Sequence, residues 1–273
     1  MTDVMAFGEI LWDVIDGVPH IGGAPFNFAA HVAKCGLTSS IISSVGEDDL
    51  GRRAKEQVAA LGVDGAFVSV HPSLPTGTVN VTLDNGIPSY EIVKPVAWDE
   101  IRVDVTTLPP PRALYFGSLA QRSPVSSKTL ARLLEAFSSS LVFFDVNLRQ
   151  KFWSKELIAD CLGRTDILKV NDEERDTLGF SVERLFATYP RLKTVVETLG
   201  ADGCAVWSRD GEAFASPALP DGPVVDTVGA GDSFSAAFLA AVLNGKGLRA
   251  AAEEGNRRAG QVAARSGAIP EGL

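Results

Sequence analysis

The chain is poor in the side chains that build covalent staples and metal centres, with three cysteines and three histidines in 273 residues. Cys35, Cys161 and Cys204 are far apart and odd in number, which argues against a disulfide framework or a CxxC metal site and for a reducing, cytoplasmic compartment. His20, His31 and His71 include no HExxH pair, so a histidine-built zinc centre is not expected. Basic blocks are missing too: 25 lysines and arginines face 34 acids for a net charge of −9, and nucleic acid is not an expected partner. No apolar run approaches the roughly 18 residues of a membrane span. The acidic start MTDVMAFGEILWDV lacks the basic, then apolar, order of a secretion signal. Two nucleotide motifs are absent as well. GxGxxG fails because Phe234 stands where the third glycine belongs, and Gly245-Lys246 is followed by Gly247 without the earlier glycine of a Walker A loop.

What is present is alternation. Apolar strand-like runs at 4–7, 40–45, 113–116, 141–146, 194–198 and 204–207 are separated by helical patterns at 26–34, 51–61, 127–137 and 182–189. This order predicts one α/β domain over 1–273, a mostly parallel sheet covered by helices. The segment TGTVNVTLDNGIPSYEIV (76–93) interrupts it. Val79, Val81 and Leu83 alternate with Thr78, Asn80 and Thr82 before an Asn85-Gly86 turn, the pattern of a hairpin with one apolar and one polar face. With the extended piece 10–15 it predicts a small separate sheet over about 10–20 and 75–95, a lid over a cleft; an edge hairpin of the main sheet is the alternative.

Near the end stands DTVGAGDSF (226–234), followed by a helix that is apolar nearly all round and ends at Asn244-Gly245. Gly229-Ala230-Gly231 falls at its N-terminus, where free N–H groups and the helix dipole favour an anion, and Asp232 follows at once. An ordinary first-turn aspartate fits the same letters. A carboxylate beside an anion seat acquires a chemical reason if the anion is a transferring phosphoryl group, because an alcohol acceptor needs a base that orients it and takes its proton.

Two signatures in their order and separation turn this into a resemblance. DTVGAGDSFSAAF and GGAPFNFAAHVAKCG (22–36) are similar to the C- and N-terminal signatures of the ribokinase-like (PfkB) carbohydrate kinases. The resemblance implies a three-layer α/β/α core with a β-sheet lid, and ATP with Mg²⁺ as nucleotide and cofactor. It implies Asp232 as catalytic base and the amides of Gly229, Ala230 and Gly231 as anion hole. Gly22, Gly23 and Asn27 match the sugar-binding turn and helix, and Asp13 in GEILWDVI matches an acid that accepts sugar hydroxyls. KVNDEE (169–174) places Asn171 and Glu174 at the family's NxxE spacing, which implies a nucleotide-side Asn and a Glu holding Mg²⁺ through water. TLGADG (198–203), with Thr198, Gly200 and Gly203, looks like the nucleotide loop, and Asn256 corresponds to a position near the adenine. The loops around Asp226, Val228, Arg265 and Gly267 resemble those that hold a monovalent cation, K⁺, in some relatives.

GGAPFN and DVNLR (145–149) are closest to the fructokinase forms of these motifs, which implies a ketohexose such as fructose as acceptor, with Arg149 near phosphate or substrate and the polar hairpin face and Tyr90 toward the sugar. Keto-deoxygluconate, ribose and nucleosides remain alternatives, as does a catalytically silent sugar- or nucleotide-binding regulator. Phe26 and Phe28 are bulkier than the residues often found beside Asn27. The outer side of the lid offers a surface through which two protomers would pair.

Overall fold

Strands in the middle of the chain alternate side chains between two cores rather than between core and water. In the computed structural model, which describes residues 2–15, 17–84 and 87–273, with the backbone alone for 81–84 and 87–90, Val4 and Ala6 enter one apolar cluster while Met5 and Phe7 enter another. Ala113 and Tyr115 against Leu114 and Phe116 repeat the pattern. Burial on both faces is the condition of a parallel sheet between helical layers.

The elements in chain order are β1 (Val4–Phe7), β2 (Leu11–Ile15), β3 (Val18–Gly22), α1 (Ala24–Lys34), β4 (Ser39–Gly46), α2 (Asp49–Ala60), β5 (Val68–His71), β6 (Gly77–Asp84) and β7 (Ile87–Ile92). They continue with β8 (Ala113–Gly117), α3 (Pro124–Ala136), β9 (Leu141–Asp145), α4 (Lys155–Leu162), β10 (Ile167–Asn171), α5 (Asp172–Leu178) and α6 (Val182–Thr188). The last are β11 (Thr194–Thr198), β12 (Cys204–Ser208), β13 (Ala213–Ser216), α7 (Ala230–Leu243) and α8 (Leu248–Ala263).

The nine-stranded sheet runs β13-β12-β11-β10-β9-β8-β1-β4-β5, parallel from β11 to β5 and antiparallel at β12 and β13. The chain leaves β1 toward β4 and β5, then returns to the other side of β1 at β8. That reversal opens a crevice at the carboxyl ends of β1 and β8, where open α/β sheets bind ligands. The expected alternation is present, with β5, β10, β13, α4, α5 and α8 added.

The separate small sheet is present, in the order β3-β2-β6-β7, with β2 parallel to β6. Its β6–β7 turn at Asn85-Gly86 and the Asp16 position of the β2–β3 turn lie outside the described residues. Asp48 ties the entry of β6 to the core, accepting from the Thr76 amide at 2.8 Å and hydroxyl at 2.6 Å. After β7, Arg122 pairs with Asp99 at 2.7 Å, donates to the Val93 carbonyl at 2.7 Å and lies 3.8 Å over the Trp98 ring. The β6–β7 hairpin is thus held at both ends, and Leu11, Val79 and Ile92 of the small sheet join the second apolar cluster.

Candidate active site

The anion seat forms because only glycine suits its first position. Gly229 caps α7 with φ +76°, and a Cβ there would stand 2.6 Å from the Ala268 carbonyl oxygen. The same carbonyl accepts from His31 Nε2 at 2.8 Å, and burial drives the His31 pKa down to about 4, so a neutral imidazole braces the seat from α1. The Ala230 amide donates to Thr227 at 3.2 Å. Among the described residues no backbone carbonyl accepts from the amides of Gly229, Gly231 or Asp232, which leaves those three for a ligand. Of the seat expected at Gly229, Ala230 and Gly231, the Ala230 amide is thus engaged in the turn, and the Asp232 amide stands open beside those of Gly229 and Gly231.

Asp232, half-buried in the first turn of α7, accepts from Asn27 Nδ2 at 2.9 Å. Pro25 starts α1 and aims Asn27 at α7, where the Asn27 side chain is buried and its Oδ1 lacks a partner. Two motifs 205 residues apart therefore meet in one hydrogen bond. Burial, reinforced by the charge of Asp145 and opposed by Asn27, Lys169 and Arg149, raises the Asp232 pKa to about 7. A carboxylate poised there accepts a proton far more readily than a free aspartate.

On the other wall, Asp13 of β2 reaches over the turn before α1, its Oδ2 lying 2.9 Å from where a Cβ on Gly22 would stand. Gly23 has φ +108°, and a Cβ there would lie 2.5 Å from the Glu9 carbonyl oxygen. Burial raises the Asp13 pKa against the pull of Arg149 and His20. Arg149 is exposed at the cleft, donates to the Leu148 carbonyl at 3.1 Å, and pulls the pKa values of Asp13, Glu9 and Asp232 down alike, against the burial that raises them. Its loop holds Asn147 and Gln150 at φ +46° and +49°, left-handed conformations rare outside glycine and concentrated at functional sites.

The expected polar face of the lid needs correction. In the β2–β6 register Asp13 pairs with Val79, whereas Thr78 and Asn80 pair with Trp12 and Val14 on the opposite face. With period-two alternation, Asp13 shares its side with Leu11 and Val79, and Thr78 and Asn80 turn away from it. Tyr90 pairs with Val81 in the lid, and its side chain and that of Thr82 lie outside what the structure describes.

The residues expected on the nucleotide side lie at the ends of β10 and β11, in the loop after β11 and in the middle of α8. Asn171 and Glu174 form a reciprocal capping box, with Asn171 Oδ1 accepting from the Glu174 amide at 2.7 Å and Glu174 Oε2 from the Asn171 amide at 2.9 Å. Glu174 Oε1 also accepts from the Leu148 amide at 2.8 Å, joining this turn to the Arg149 loop. Each oxygen keeps a lone pair for water, and among the described residues no three His, Cys, Asp or Glu side chains could hold a metal by themselves. That donor set fits Mg²⁺ carried mainly by phosphates and water. Thr198 ends β11 and Gly200 is exposed with φ +55°; a Cβ on Gly203 would stand 2.1 Å from the Ser216 carbonyl oxygen. Asn256 is buried, and its amide donates to Ser216 O, Ser216 Oγ and Pro217 O at 3.0 Å each, so it shapes the loop after β13. Asp226 accepts from the amides of Val228 and Gly267 at 3.0 Å each, drawing together the loops flanking the seat.

Three further groups belong to this cleft. Glu9 follows β1, is 2% exposed and has an unpartnered Oε2; burial above all, with Asp232 adding to it, raises its pKa to about 7. Asp145 and Lys169 form a buried pair at 3.1 Å beneath Gly231. Their signal was visible as charges inside the apolar runs AFGEIL, VFFDV and ILKVN.

The model of the pfkB family of carbohydrate kinases matches residues 1–272. A fructokinase of Klebsiella pneumoniae is 33% identical over 237 residues, covering 80% of this chain and 76% of that protein. The aminoimidazole riboside kinase of Salmonella typhimurium is 34% identical over 236 residues, covering 80% of this chain and 72% of that protein. A solved structure described as an uncharacterized sugar kinase of Pyrococcus horikoshii in complex with ATP superimposes with a TM-score of 0.85 at 27% identity, over 97% of this chain and 94% of that one.

Proposed function

Since the chain belongs to the pfkB family of carbohydrate kinases and is thus a phosphotransferase with an alcohol acceptor, we propose that it moves the γ-phosphoryl group of ATP to a primary hydroxyl of a ketohexose, fructose. The observation that carries this reading is the Asn27–Asp232 hydrogen bond, which sets the sugar-side helix against the acid beside the anion seat. Ionised Asp232 takes the proton of the acceptor hydroxyl as its oxygen bonds to the γ-phosphorus. The bond from that phosphorus to the bridging oxygen breaks, and its electron pair leaves on ADP. The amides of Gly229, Gly231 and Asp232, with the dipole of α7, stabilise charge on the transferring group. Asp13, Asn27 and the Gly22-Gly23 turn orient the sugar, and Arg149 screens the acids around it. Mg²⁺, when bound, neutralises the polyphosphate, with Glu174 holding its waters.

The fructokinase form of GGAPFN and DVNLR and the Klebsiella relative favour fructose. The similarly distant riboside kinase makes a riboside the second reading. A silent binding module has no use for an acid poised near 7 beside a bare anion seat. Free cysteines support a cytoplasmic setting, the Asp226 loops support a K⁺ site, and exposed Ile15 and Val18 at the lid edge support pairing of two copies. ADP release measured with Mg²⁺-ATP across ketohexoses, aldoses, keto-deoxygluconate and ribosides should show the highest kcat/KM for fructose. A riboside winning would install the second reading, and no turnover with any acceptor would leave the binding module.

A further inference from the structure

The first turns of α1 and α7 carry Asn27 and Asp232, and the opposite ends of these helices meet α8 around a second cavity of about 380 Å³. Its lining carries four cations, Lys34 of α1, Lys246 of the α7–α8 turn and Arg257 and Arg258 of α8, against one acid, Glu254. A positive hollow thus stands in a chain of net charge −9. Glu254 is already shared between Lys246 at 3.0 Å and Arg257 at 2.7 Å. Arg258 has no carboxylate within ion-pair distance among the described residues. Its polar contact is Cys35 Sγ at 3.9 Å, and burial raises the Cys35 pKa, so the thiol stays neutral and leaves the guanidinium charge unmatched. Lys34 donates to the backbone oxygens of Pro270 at 3.3 Å and Leu273 at 3.4 Å.

Cations at the carboxyl end of a helix ordinarily serve its dipole and its open carbonyls. Here backbone amides take those carbonyls. Cys35 donates to His31 and Val32, Gly36 donates to Ala33, and Asn244, Gly245 and Lys246 donate to Ala240, Val242 and Ala241. Among the described residues none of the four cationic side chains bonds to them, so the charge is left for a ligand. An arginine fork fits phosphate oxygens, and four cations against one acid suit a dianion better than a single carboxylate. The volume lies at the lower end of the roughly 300–1,000 Å³ of small-molecule pockets, room for a phosphorylated sugar whose hydroxyls would meet the amides of Asn244 and Gln261. We propose that this cavity is a second anion site, which holds a phosphate dianion between Lys34 and Arg258 and so ties α1 to α8. It is separate from the transfer site: at 1.5 Å per residue Lys34 stands about 10 Å along α1 from Asn27, and Asn244 about 18 Å along α7 from Asp232.

The test uses the whole chain with glucose 6-phosphate as probe and the transfer site filled by saturating MgADP and fructose. Titration calorimetry should find one site per chain. Cys35, half-buried in the cavity wall, reports occupancy independently. With the probe at about ten times its dissociation constant, alkylation of Cys35 by N-ethylmaleimide, followed by mass spectrometry, should slow about tenfold as the free fraction falls. Equal slowing at the buried Cys161 and Cys204 would signal general stabilisation and overturn the assignment to this cavity. Arg258→Gln should weaken binding about tenfold, the scale of one lost hydrogen bond to a charged group. Arg258→Lys should lose less, and Arg164→Gln, which removes an exposed charge elsewhere, should lose nothing. Binding that MgADP displaces, that survives Arg258→Gln or that leaves Cys35 alkylation untouched overturns the proposal. Should Arg258→Gln not fold, the Cys35 measurement on the parent protein decides alone. Inorganic phosphate titrated by itself separates the sources of the dianion: binding weaker than that of glucose 6-phosphate assigns an ester, equal binding assigns the free ion, and no binding of either overturns the site. None of these readouts depends on turnover, so a failure of the kinase reading stays distinguishable from a failure here.

Discussion

Replacing Asn27 by alanine should move the pH at which the enzyme switches on. Asn27 Nδ2 donates to Asp232 Oδ2 at 2.9 Å, and this bond opposes the burial and the Asp145 charge that raise the Asp232 pKa to about 7. A hydrogen bond to a charged group contributes about 1.5–3 kcal/mol. At about 1.4 kcal/mol per pKa unit its loss raises the pKa of Asp232 by about 1–2 units. Asp232 acts as a base only when ionised, so kcat/KM should rise with pH and level off above that pKa. The midpoint of the acid limb should then shift upward by about 1–2 units in Asn27→Ala. The assay is kcat/KM for the acceptor sugar from pH 5.5 to 10 at fixed MgATP. Bound nucleotide moves parent and variant alike, so the difference between their midpoints is what is read. Loss of the sugar contact at Asn27 lowers kcat/KM at every pH without displacing the limb. A midpoint unchanged to within about 0.3 unit, where loss of the hydrogen bond calls for about 1–2 units, would show that Asn27 does not tune the base, and an acid limb surviving in Asp232→Asn would refute Asp232 as the titrating group.

Gly229→Ala and Gly200→Ala separate strain from collision: both have positive φ, +76° and +55°, but only at Gly229 does the new methyl meet backbone, 2.6 Å from Ala268 O. Gly200→Ala should lose about 1–2 kcal/mol, a few degrees of Tm, with kcat intact. Gly229→Ala should lose more stability and at least about a hundredfold in kcat as the oxyanion donors shift, and equal kcat in the two variants would count against the seat. Glu9→Gln should stabilise the protein in a pH-dependent way. The Glu9 pKa is about 7 in the fold against 4.5 unperturbed, so below about 4.5 both states are protonated and nothing is lost. As pH rises from 4.5 to 7 the folded state binds more proton than the unfolded one, so stability falls, reaching about 3 kcal/mol above pH 7. Differential scanning fluorimetry should show the variant melting several degrees above the parent at pH 8 and level with it at pH 4.5; a gap that ignores pH refutes the buried ionisation.

Much of this was legible in the chain because the relevant physics is local. A glycine triplet before an apolar run marks a helix N-terminus whatever surrounds it, and α7 starts at Ala230 as that reading requires. The separate lid was visible in the change of period from helical to two at 76–93, and Pro25 marked the start of α1. Register was harder to see. Alternation in β6 separates Val79 from Thr78 and Asn80, but only pairing with β2 decides which set shares a face with Asp13, and it is the apolar one. Capacity was equally hidden: Asn256 and Asn171 carry amides suited to a nucleotide, and the fold engages both in holding backbone turns. A charge within an apolar run, as at Lys169 and Glu9, has meaning only once its neighbours are known, and for Lys169 that neighbour, Asp145, lies on another strand.

The cleft as a whole is not a positive site. Asp13, Asp145, Glu174 and Asp232 surround it with Glu9 beneath, and the cations that act on these acids are chiefly Lys169 and Arg149. A nucleotide polyphosphate entering alone would add negative charge to a surplus of acids, in a chain already at −9. Burial has partly solved this beforehand by raising the pKa values of Glu9 and Asp232 to about 7, which lessens their charge near neutral pH. The surplus of acids predicts that nucleotide binding depends on a divalent ion, and it leaves Asp232 the acid whose charge state matters most to the proposed transfer. Protonated, it lets the phosphates in at lower electrostatic cost; ionised, it can take the acceptor's proton. Nucleotide affinity and turnover should therefore respond to pH in opposite directions across the same interval, with MgADP binding weakening as pH rises through about 7 while kcat/KM for the sugar increases. Calorimetry of MgADP against pH tests this, and affinity that strengthens as Asp232 ionises would mean that Lys169 and Arg149 outweigh the acids.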